Sequence, residues 1–272
     1  MKLASYVHDG AAGVGVLDDA DDITPLPGVT QIDESVADLL ATFVPGGPTI
    51  PLADVTLRAA SPAPSKVFCV GLNYLSHVEE TKRDLPVYPV LFPKFASNLI
   101  GANEPIRVPE ESTQVDYEGE LAVIIGRRGR RITEEDAMEH VLGVAVANDV
   151  TMRDYQYKTH QWLQGKAWDG STPIGPVLVT PDEVDLANAG IRTILNGETV
   201  QNSDLSRLIF SIPTLIAKIS EFTVLEPGDI ILTGTPSGVG FRRDPQVFLH
   251  PGDHVTVEID GVGRLDSAVV AE

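Results

Sequence analysis

Short runs of valine and isoleucine, each ended by glycine, proline or aspartate, restrict the fold of this chain most strongly. β-Branched side chains pack well on a pleated surface, and the breakers mark turns, so such runs are typical of strands. Helical periodicity is rarer and, after residue 65, predicts helices only over Leu75–Thr81, Thr133–Glu139 and Ile212–Glu221. The pattern therefore predicts a mostly β (α+β) protein. The predicted strands after residue 65 are Val67–Val70, Leu121–Ile125, Val141–Ala147, Pro176–Val179, Ile191–Leu195, Ile230–Leu232 and Val255–Ile259.

The first 60 residues differ in sequence pattern from the rest of the chain. Two apolar stretches, Leu3–Val7 and Val14–Leu17, predict a β-hairpin, and helical spacing of apolar residues over 32–43 predicts a short helix. A proline-rich segment, Ser61–Ser65, is typical of a linker. We therefore predict a small N-terminal α/β domain over residues 1–60 and a larger domain over residues 66–272.

The charge balance excludes several classes of partner. With 39 acidic and 20 basic side chains the formal net charge is −19, and such a surface repels phosphate backbones and anionic lipids. We therefore expect neither a nucleic acid nor a membrane as partner. The single cysteine excludes an internal disulfide, and the first residues lack the apolar core of a signal peptide, so the expected location is cytoplasmic.

Three carboxylates stand where predicted strands begin or end. Glu118 and Glu120 are two residues apart and share one face of a strand, while Gly119 removes bulk from the other face. Two carboxylates beside the buried run Leu121–Ile125 repel each other unless a cation or a proton intervenes. Asp149 follows the next strand, and three carboxylates together suit a hard divalent ion such as Mg²⁺. A solvated strand end and a helix cap are the alternatives for these residues taken singly.

Two basic residues could complement such a site. Lys166 lies between Trp162 and Trp168, an unusual setting for a solubilising charge, and it would offset the one negative charge that three carboxylates and Mg²⁺ leave. Arg153 could clamp a substrate carboxylate. A surface arginine is the alternative.

A general base is suggested by His77 and Glu80, which are neighbours on one face of a predicted helix. In a cleft the carboxylate would fix the imidazole tautomer and raise its basicity. An inert exposed pair is the alternative. Farther along, a glycine-rich segment lacks a Walker lysine and is therefore no P-loop, but its amides and the Thr235 hydroxyl could bind a carboxylate.

Several segments resemble the fumarylacetoacetate hydrolase family over roughly residues 66–272. They are GLNYLSHVEE, VDYEGELAVIIG, ANDVTMRDYQ, LQGKAWD, STPIGP, LNGETVQ and LEPGDIILTGTPSGVG, in the family's order. The resemblance implies a barrel-like β catalytic domain, a homodimer and a small-molecule 2-oxo acid as substrate. It implies that Mg²⁺ or Mn²⁺ is held by Glu118, Glu120 and Asp149. It assigns His77, Glu80 and Lys166 to catalysis, and Arg153, Gln156 and Thr235 to substrate binding.

The branch that this chain resembles contains acylpyruvases, oxaloacetate decarboxylases and hydroxyheptadienedioate isomerases. Hydrolysis of a C–C bond in a 2,4-dioxo acid is the expected activity, because the complete dyad supplies a base that activates water. Decarboxylation and isomerisation on the same site stay open. Two remoter alternatives remain. A serine or cysteine hydrolase is disfavoured because neither nucleophile has a recognisable base nearby in the sequence. A non-catalytic ligand-binding relative is disfavoured because it would need neither the lysine nor the dyad.

Overall fold

Strands supply most of the regular structure in the computed structural model, which describes all 272 residues and confirms the predicted mostly β class. The strands are β1 Lys2–His8, β2 Ala11–Leu17, β3 Asp22–Pro25, β4 Ile50–Pro51, β5 Thr56–Leu57, β6 Val67–Gly71, β7 Val90–Lys94, β8 Leu99–Ile100, β9 Ile106–Val108, β10 Val115–Asp116, β11 Gly119–Ile125, β12 Val141–Asn148, β13 Thr151–Met152, β14 Thr172–Val179, β15 Gly190–Leu195, β16 Glu198–Asp204, β17 Ile230–Leu232, β18 His254–Ile259 and β19 Gly263–Ala271. The helices are α1 Glu34–Ala41, α2 Leu75–Thr81, α3 Arg153–Gln156, α4 Leu163–Lys166 and α5 Ile212–Phe222.

Two sheets form the framework. The larger has 12 strands in the order β4-β3-β2-β1-β14-β12-β11-β17-β6-β7, with β5 paired to β1 and β8 paired to β14. The smaller has five, in the order β16-β15-β18-β19-β9, and it packs against β11, β12 and β14. The strands of residues 1–60 continue the larger sheet, because β1 pairs with β14 in antiparallel register. The two-domain division of the chain stays a prediction.

The central strand β11 is buried on both faces, which explains its unbroken apolar sequence. Its odd-numbered residues, such as Leu121 and Val123, face the smaller sheet and helix α5. Its even-numbered residues, such as Ile124, face a second apolar cluster that includes residues of β2, β14 and α1. Alternation along one strand therefore ties the N-terminal segment and the smaller sheet to one core.

All of the predicted strands are present, and three of the four predicted helices, those over 32–43, Leu75–Thr81 and Ile212–Glu221, correspond to α1, α2 and α5. The prediction of a helix over Thr133–Glu139 is wrong, because only a 3₁₀ turn forms there, at Ala137–His140. The Thr133 hydroxyl donates to the Asp136 carboxylate and accepts a hydrogen bond from the Asp136 amide. Such local bonds compete with a helix, and the exposed segment has too few buried side chains to stabilise one.

None of the helices is both long enough and apolar enough to span a membrane.

Truncation of Ile124, which is fully buried in β11, tests the double-sided core. We expect Ile124→Ala to lower the free energy of unfolding by roughly 2–5 kcal/mol, because it removes packing and leaves a cavity. Val87→Ala is the matched control, since Val87 is 98% exposed and surface truncations change stability by less than about 0.5 kcal/mol. Denaturant titration followed by circular dichroism measures both, and equal midpoints for the two variants would contradict this packing.

Candidate active site

A cavity opens beside the N-terminal end of β11, where helices α2, α3 and α4 meet the glycine-rich segment after β17. Carboxylates, cations and one histidine reach it from different elements. Its lining includes seven of the nine predicted site residues: His77, Glu118, Glu120, Arg153, Gln156, Lys166 and Thr235. The other two, Asp149 and Glu80, contact members of that set.

The three predicted metal ligands do converge. Ligand oxygens of Glu118, Glu120 and Asp149 all lie within 4.8 Å of one another, and the three side chains are buried. Gly119 lets the strand pass close to the smaller sheet, since a Cβ there would lie 2.3 Å from the Thr193 hydroxyl. The two glutamates consequently point together into the cavity, as their spacing predicts.

Two buried cations face these carboxylates. Lys166 Nζ donates to Glu118 Oε2 and to Asp149 Oδ2, both at 2.7 Å. Arg153 Nε donates to Asp116 Oδ2 at 2.8 Å, and Arg153 Nη2 lies 2.7 Å from Glu118 Oε1. Each cation therefore bridges two carboxylates.

A third cation, Lys94, lies next to Asp149, and the sequence patterns did not predict it. Its fully buried ammonium donates to the Val150 carbonyl at 3.2 Å, to the Thr172 hydroxyl at 2.7 Å and to the Lys166 carbonyl. These bonds use its three hydrogens, so Asp149 Oδ1, 2.9 Å away, is an ion-pair neighbour without a hydrogen bond. Lys94 thereby fixes Asp149 by charge and leaves that oxygen with free lone pairs.

The pKa values of the two glutamates are shifted in opposite directions. Burial alone would raise the pKa of Glu118, but Lys166 and Arg153 outweigh it and lower that pKa to about 2. Burial, reinforced by Asp149 and Glu118, raises the pKa of Glu120 well above its ordinary value. The difference arises because Glu118 contacts two cations, whereas Glu120 accepts a hydrogen bond only from the Gly234 amide, at 2.8 Å.

The glycine-rich segment supplies backbone donors, but to carboxylates of the protein itself. The Gly234 amide donates to Glu120, the Gly238 amide to Glu80 at 2.9 Å, and the Gly240 amide to Asp116 at 2.8 Å. Gly234 and Gly238 have φ angles of +103° and +100°, which glycine adopts without strain. The segment therefore positions the site residues, and these amides are not available to a substrate carboxylate.

The His77–Glu80 pair is present as predicted. His77 Nδ1 lies 3.1 Å from Glu80 Oε2, and Glu80 Oε1 accepts the Gly238 amide. An ionised Glu80 holds the hydrogen on Nδ1, which leaves the Nε2 lone pair as the basic position of the ring. The imidazole is buried and lines the cavity, so the inert exposed pair is excluded.

The predicted substrate-binding residues differ in what they offer. Arg153 Nη2 is buried and forms an ion pair with Glu118 Oε1 without the alignment of a hydrogen bond, so its hydrogens can also be directed at an anion in the cavity. Gln156 accepts from Arg153 Nη1 at 3.0 Å through its carbonyl oxygen, and its amide nitrogen has no protein acceptor. The Thr235 hydroxyl donates to the Gly119 carbonyl at 3.0 Å and accepts from Gln201 at 2.8 Å. Thr235 therefore contributes by fixing β11, and its binding role stays a prediction.

Two further residues of the site were not predicted, although each lies in a segment that resembles the family. Asp116 is fully buried and pairs with Arg153, and Gln201 links the Gly119 amide to the Thr193 and Thr235 hydroxyls. Lys94 also left a signal, because a lysine that directly follows the apolar run Val90–Pro93 is atypical of a surface strand.

The donor set fits a hard divalent ion. Carboxylate oxygens are the ligands that Mg²⁺ and Mn²⁺ prefer, and Asp149 Oδ1 is a buried oxygen without a hydrogen bond. Four carboxylates, those of Asp116 and the three predicted ligands, face three cations. With all four carboxylates ionised the cluster carries one excess negative charge, which a divalent ion would turn into one excess positive charge.

Comparisons with known proteins identify the family of this chain. The family model described as "Fumarylacetoacetate (FAA) hydrolase C-terminal" matches residues 66–270, and that described as "Rv2993c-like, N-terminal" matches residues 1–59. The oxaloacetate tautomerase fahd2, mitochondrial, of Xenopus laevis is 48% identical over 221 residues, which cover 80% of this chain and 69% of that protein. This chain therefore belongs to the fumarylacetoacetate hydrolase family.

Solved structures show the same fold over the full chain. The fumarylacetoacetate hydrolase of Exiguobacterium antarcticum has a TM-score of 0.86 at 36% identity and covers all of both chains. The maleylpyruvate hydrolase of Sphingobium sp. SYK-6, solved with manganese(II) and pyruvate, has a TM-score of 0.82 at 30% identity and covers 100% of this chain and 99% of that one. The predicted fold class is thus confirmed, while the predicted homodimer and the roles of individual site residues stay predictions.

Opposite stability changes on replacing the two glutamates test the electrostatics of the site. In EDTA at pH 7 we expect Glu118→Gln to lower the free energy of unfolding by roughly 3–5 kcal/mol, since it leaves two buried cations short of a partner. Glu120→Gln should raise that free energy, because a carboxyl group whose pKa rises on folding opposes folding at any pH above its ordinary pKa. Denaturant titration of the metal-free variants measures both.

The pH dependence of stability is the control for the two glutamate variants. A lowered pKa stabilises the fold above the ordinary value of 4.5, and the contribution is lost as the pH falls toward about 2. The stability difference between wild type and Glu118→Gln should therefore shrink below about pH 4.5. A Glu118→Gln variant more stable than wild type in EDTA would contradict the assigned charge pairing.

Proposed function

We propose that this chain is a divalent-metal-dependent enzyme that enolises a small 2-oxo acid, and that its reaction is keto–enol tautomerisation of the oxaloacetate type. One observation carries the proposal. A histidine oriented by a carboxylate lines the same cavity as a cluster of three carboxylates suited to a divalent ion. Enolisation needs those two functions together: a base for the proton next to a carbonyl, and positive charge at the carbonyl oxygen.

The binding step follows from the charges. A divalent ion held by Glu118, Glu120 and Asp149 would supply Lewis-acid polarisation of the 2-oxo group. Arg153 Nη2 and the Gln156 amide offer donors for the substrate carboxylate. Lys166 lies 2.7 Å from two of the carboxylates, and its positive charge offsets the negative charge that develops on the enolate.

The proton step belongs to His77. With Nδ1–H directed at Glu80, Nε2 accepts the proton from carbon 3 of the substrate, and Glu80 stabilises the resulting imidazolium. The enol forms when the enolate oxygen takes a proton from water and His77 releases its own proton to water. In the reverse direction the enol hydroxyl loses its proton to water and the His77 imidazolium delivers a proton to carbon 3. Tautomerisation needs no other nucleophile, and no thiol is suited to be one, because burial raises the pKa of Cys69 well above its ordinary value.

The identity to the Xenopus laevis oxaloacetate tautomerase favours tautomerisation as the outcome. Hydrolysis of a 2,4-dioxo acid, the activity expected from the sequence, is the second candidate, and the maleylpyruvate hydrolase with manganese(II) and pyruvate supports it. In that reaction His77 would deprotonate a water molecule for attack on the distal carbonyl. Both candidates share the enolate.

Exchange of the carbon 3 protons of 2-oxo acids for deuterium tests the shared step. In D₂O with Mn²⁺ or Mg²⁺ we expect His77→Asn to slow exchange at least about 100-fold, which is what loss of a general base costs, with unchanged metal affinity. His250→Asn is the matched control, because the His250 side chain is 72% exposed and lies outside the cavity lining. NMR measures the exchange, and calorimetry measures the metal affinity.

The same panel separates the candidates. Interconversion of the oxaloacetate tautomers without release of acids from acylpyruvates indicates the tautomerase, and release of pyruvate from acylpyruvates indicates the hydrolase. Metal-independent exchange, or exchange unaffected by His77→Asn, would contradict the proposed chemistry. Tight pyruvate binding without exchange would identify a non-catalytic relative.

A further inference from the structure

The outer end of the active-site cavity carries two arginines that the proposed reaction does not use. Arg83 follows helix α2 and Arg242 follows the glycine-rich segment, and both line the cavity and are exposed. Their placement differs from that of Lys166 and Arg153, which are buried in the same cavity. The cavity thus has an inner and an outer set of cations.

These two sets differ in pairing. The inner cations Lys166 and Arg153 each contact two carboxylates. Neither Arg83 nor Arg242 forms an ion pair with any acidic side chain of the chain, although acidic residues outnumber basic ones by 39 to 20. Two unpaired guanidinium groups at one opening of so acidic a protein indicate a site for an anion from outside.

Aromatic side chains hold both guanidinium groups in place. The Arg83 guanidinium lies 5.9 Å from the Trp162 ring centre, and that of Arg242 lies 5.1 Å from the Phe241 ring centre. Both rings are themselves packed, Trp162 against Phe92 at 5.5 Å and Phe241 against Tyr157 at 5.4 Å. Stacking leaves the edge of a guanidinium free to donate hydrogen bonds.

The cavity lining also includes apolar and aromatic side chains. They are Leu72, Phe92, Trp162, Val239 and Phe241. A ligand that fills the cavity therefore meets buried polar and charged groups, apolar and aromatic surface, and the exposed positive charge of Arg83 and Arg242.

We propose that Arg83 and Arg242 form an outer anion subsite that binds the carboxylate at the far end of the substrate. The inference deepens the proposed function and rests on it, because the 2-oxo carboxylate head lies beside the inner cations. The substrate class that satisfies the whole cavity is a 2-oxo acid whose chain ends in a second carboxylate. Arg83 and Arg242 are then the specificity-determining residues that separate dicarboxylic from monocarboxylic 2-oxo acids.

Matched pairs of ligands test the subsite by binding rather than by turnover. 2-Oxoglutarate and 2-oxopentanoate have the same length and differ in the terminal carboxylate, as do 2-oxoadipate and 2-oxohexanoate. Calorimetry in the presence of Mg²⁺ gives the affinity ratio within each pair. We expect wild type to prefer at least one dicarboxylate, and Arg83→Gln or Arg242→Gln to reduce that preference about five- to tenfold, as for loss of a partly exposed charged hydrogen bond.

Lys82→Gln is the control for long-range attraction. Lys82 is exposed, precedes Arg83 and does not line the cavity, so this substitution removes the same charge without removing a subsite donor. We expect it to leave the ratio unchanged. Affinity for the monocarboxylates should stay unchanged in all three variants, which also shows that they fold.

The outcomes are distinguishable. An arginine substitution that weakens both ligands of a pair equally, or a Lys82→Gln effect equal to that of Arg83→Gln, would overturn the subsite in favour of general electrostatic attraction. Wild type that binds the monocarboxylates without any dicarboxylate preference would overturn the subsite alone. Failure of wild type to bind any 2-oxo acid in the presence of Mg²⁺ would overturn the proposed function and the subsite with it.

Discussion

Negative charge buried at one end of the central sheet is the constraint on which the rest of the structure depends. Glu118, Glu120 and Asp149 are withdrawn from water within a few ångströms of one another, an arrangement that opposes folding unless cations approach. Lys166, Arg153 and Lys94 approach from separate elements of the chain. Arg153 lies in the short helix α3, Lys166 in the short helix α4, and Lys94 at the end of β7. These elements therefore bring the cations to the carboxylates.

The buried cations do not neutralise all of the buried carboxylates, and the unpaired carboxylate favours binding of a metal ion. Glu120 has no cationic partner within the protein, and burial and its neighbours raise its pKa. Strain of this kind is common where a site is built for a ligand that the fold alone does not supply. A divalent ion would relieve the repulsion and reverse the net charge of the cluster, which then attracts an anionic substrate. Metal binding and substrate binding are therefore linked through the same unpaired charge.

Sequence patterns predicted what depends on local periodicity. The alternation in β11 placed Glu118 and Glu120 on one face, and helical spacing placed His77 beside Glu80. What the patterns could not give are contacts made across the fold. The approach of Lys94 to Asp149 joins residues 55 positions apart, and the amides of the glycine-rich segment bond to the protein's own carboxylates, whose position depends on tertiary packing. The position of Arg83 in the cavity lining also depends on tertiary packing, so the sequence pattern could not predict it.

A crystal structure of the protein soaked in Mn²⁺, with anomalous diffraction data, tests the central claim most directly. We expect one anomalous peak among the carboxylates of Glu118, Glu120 and Asp149, at metal–oxygen distances of roughly 2.0–2.3 Å, typical of small divalent ions bound by oxygen. Lys166 and Lys94 should stay beside the carboxylates as charge partners. A peak elsewhere, or none at Mn²⁺ concentrations that support proton exchange, would contradict the claim.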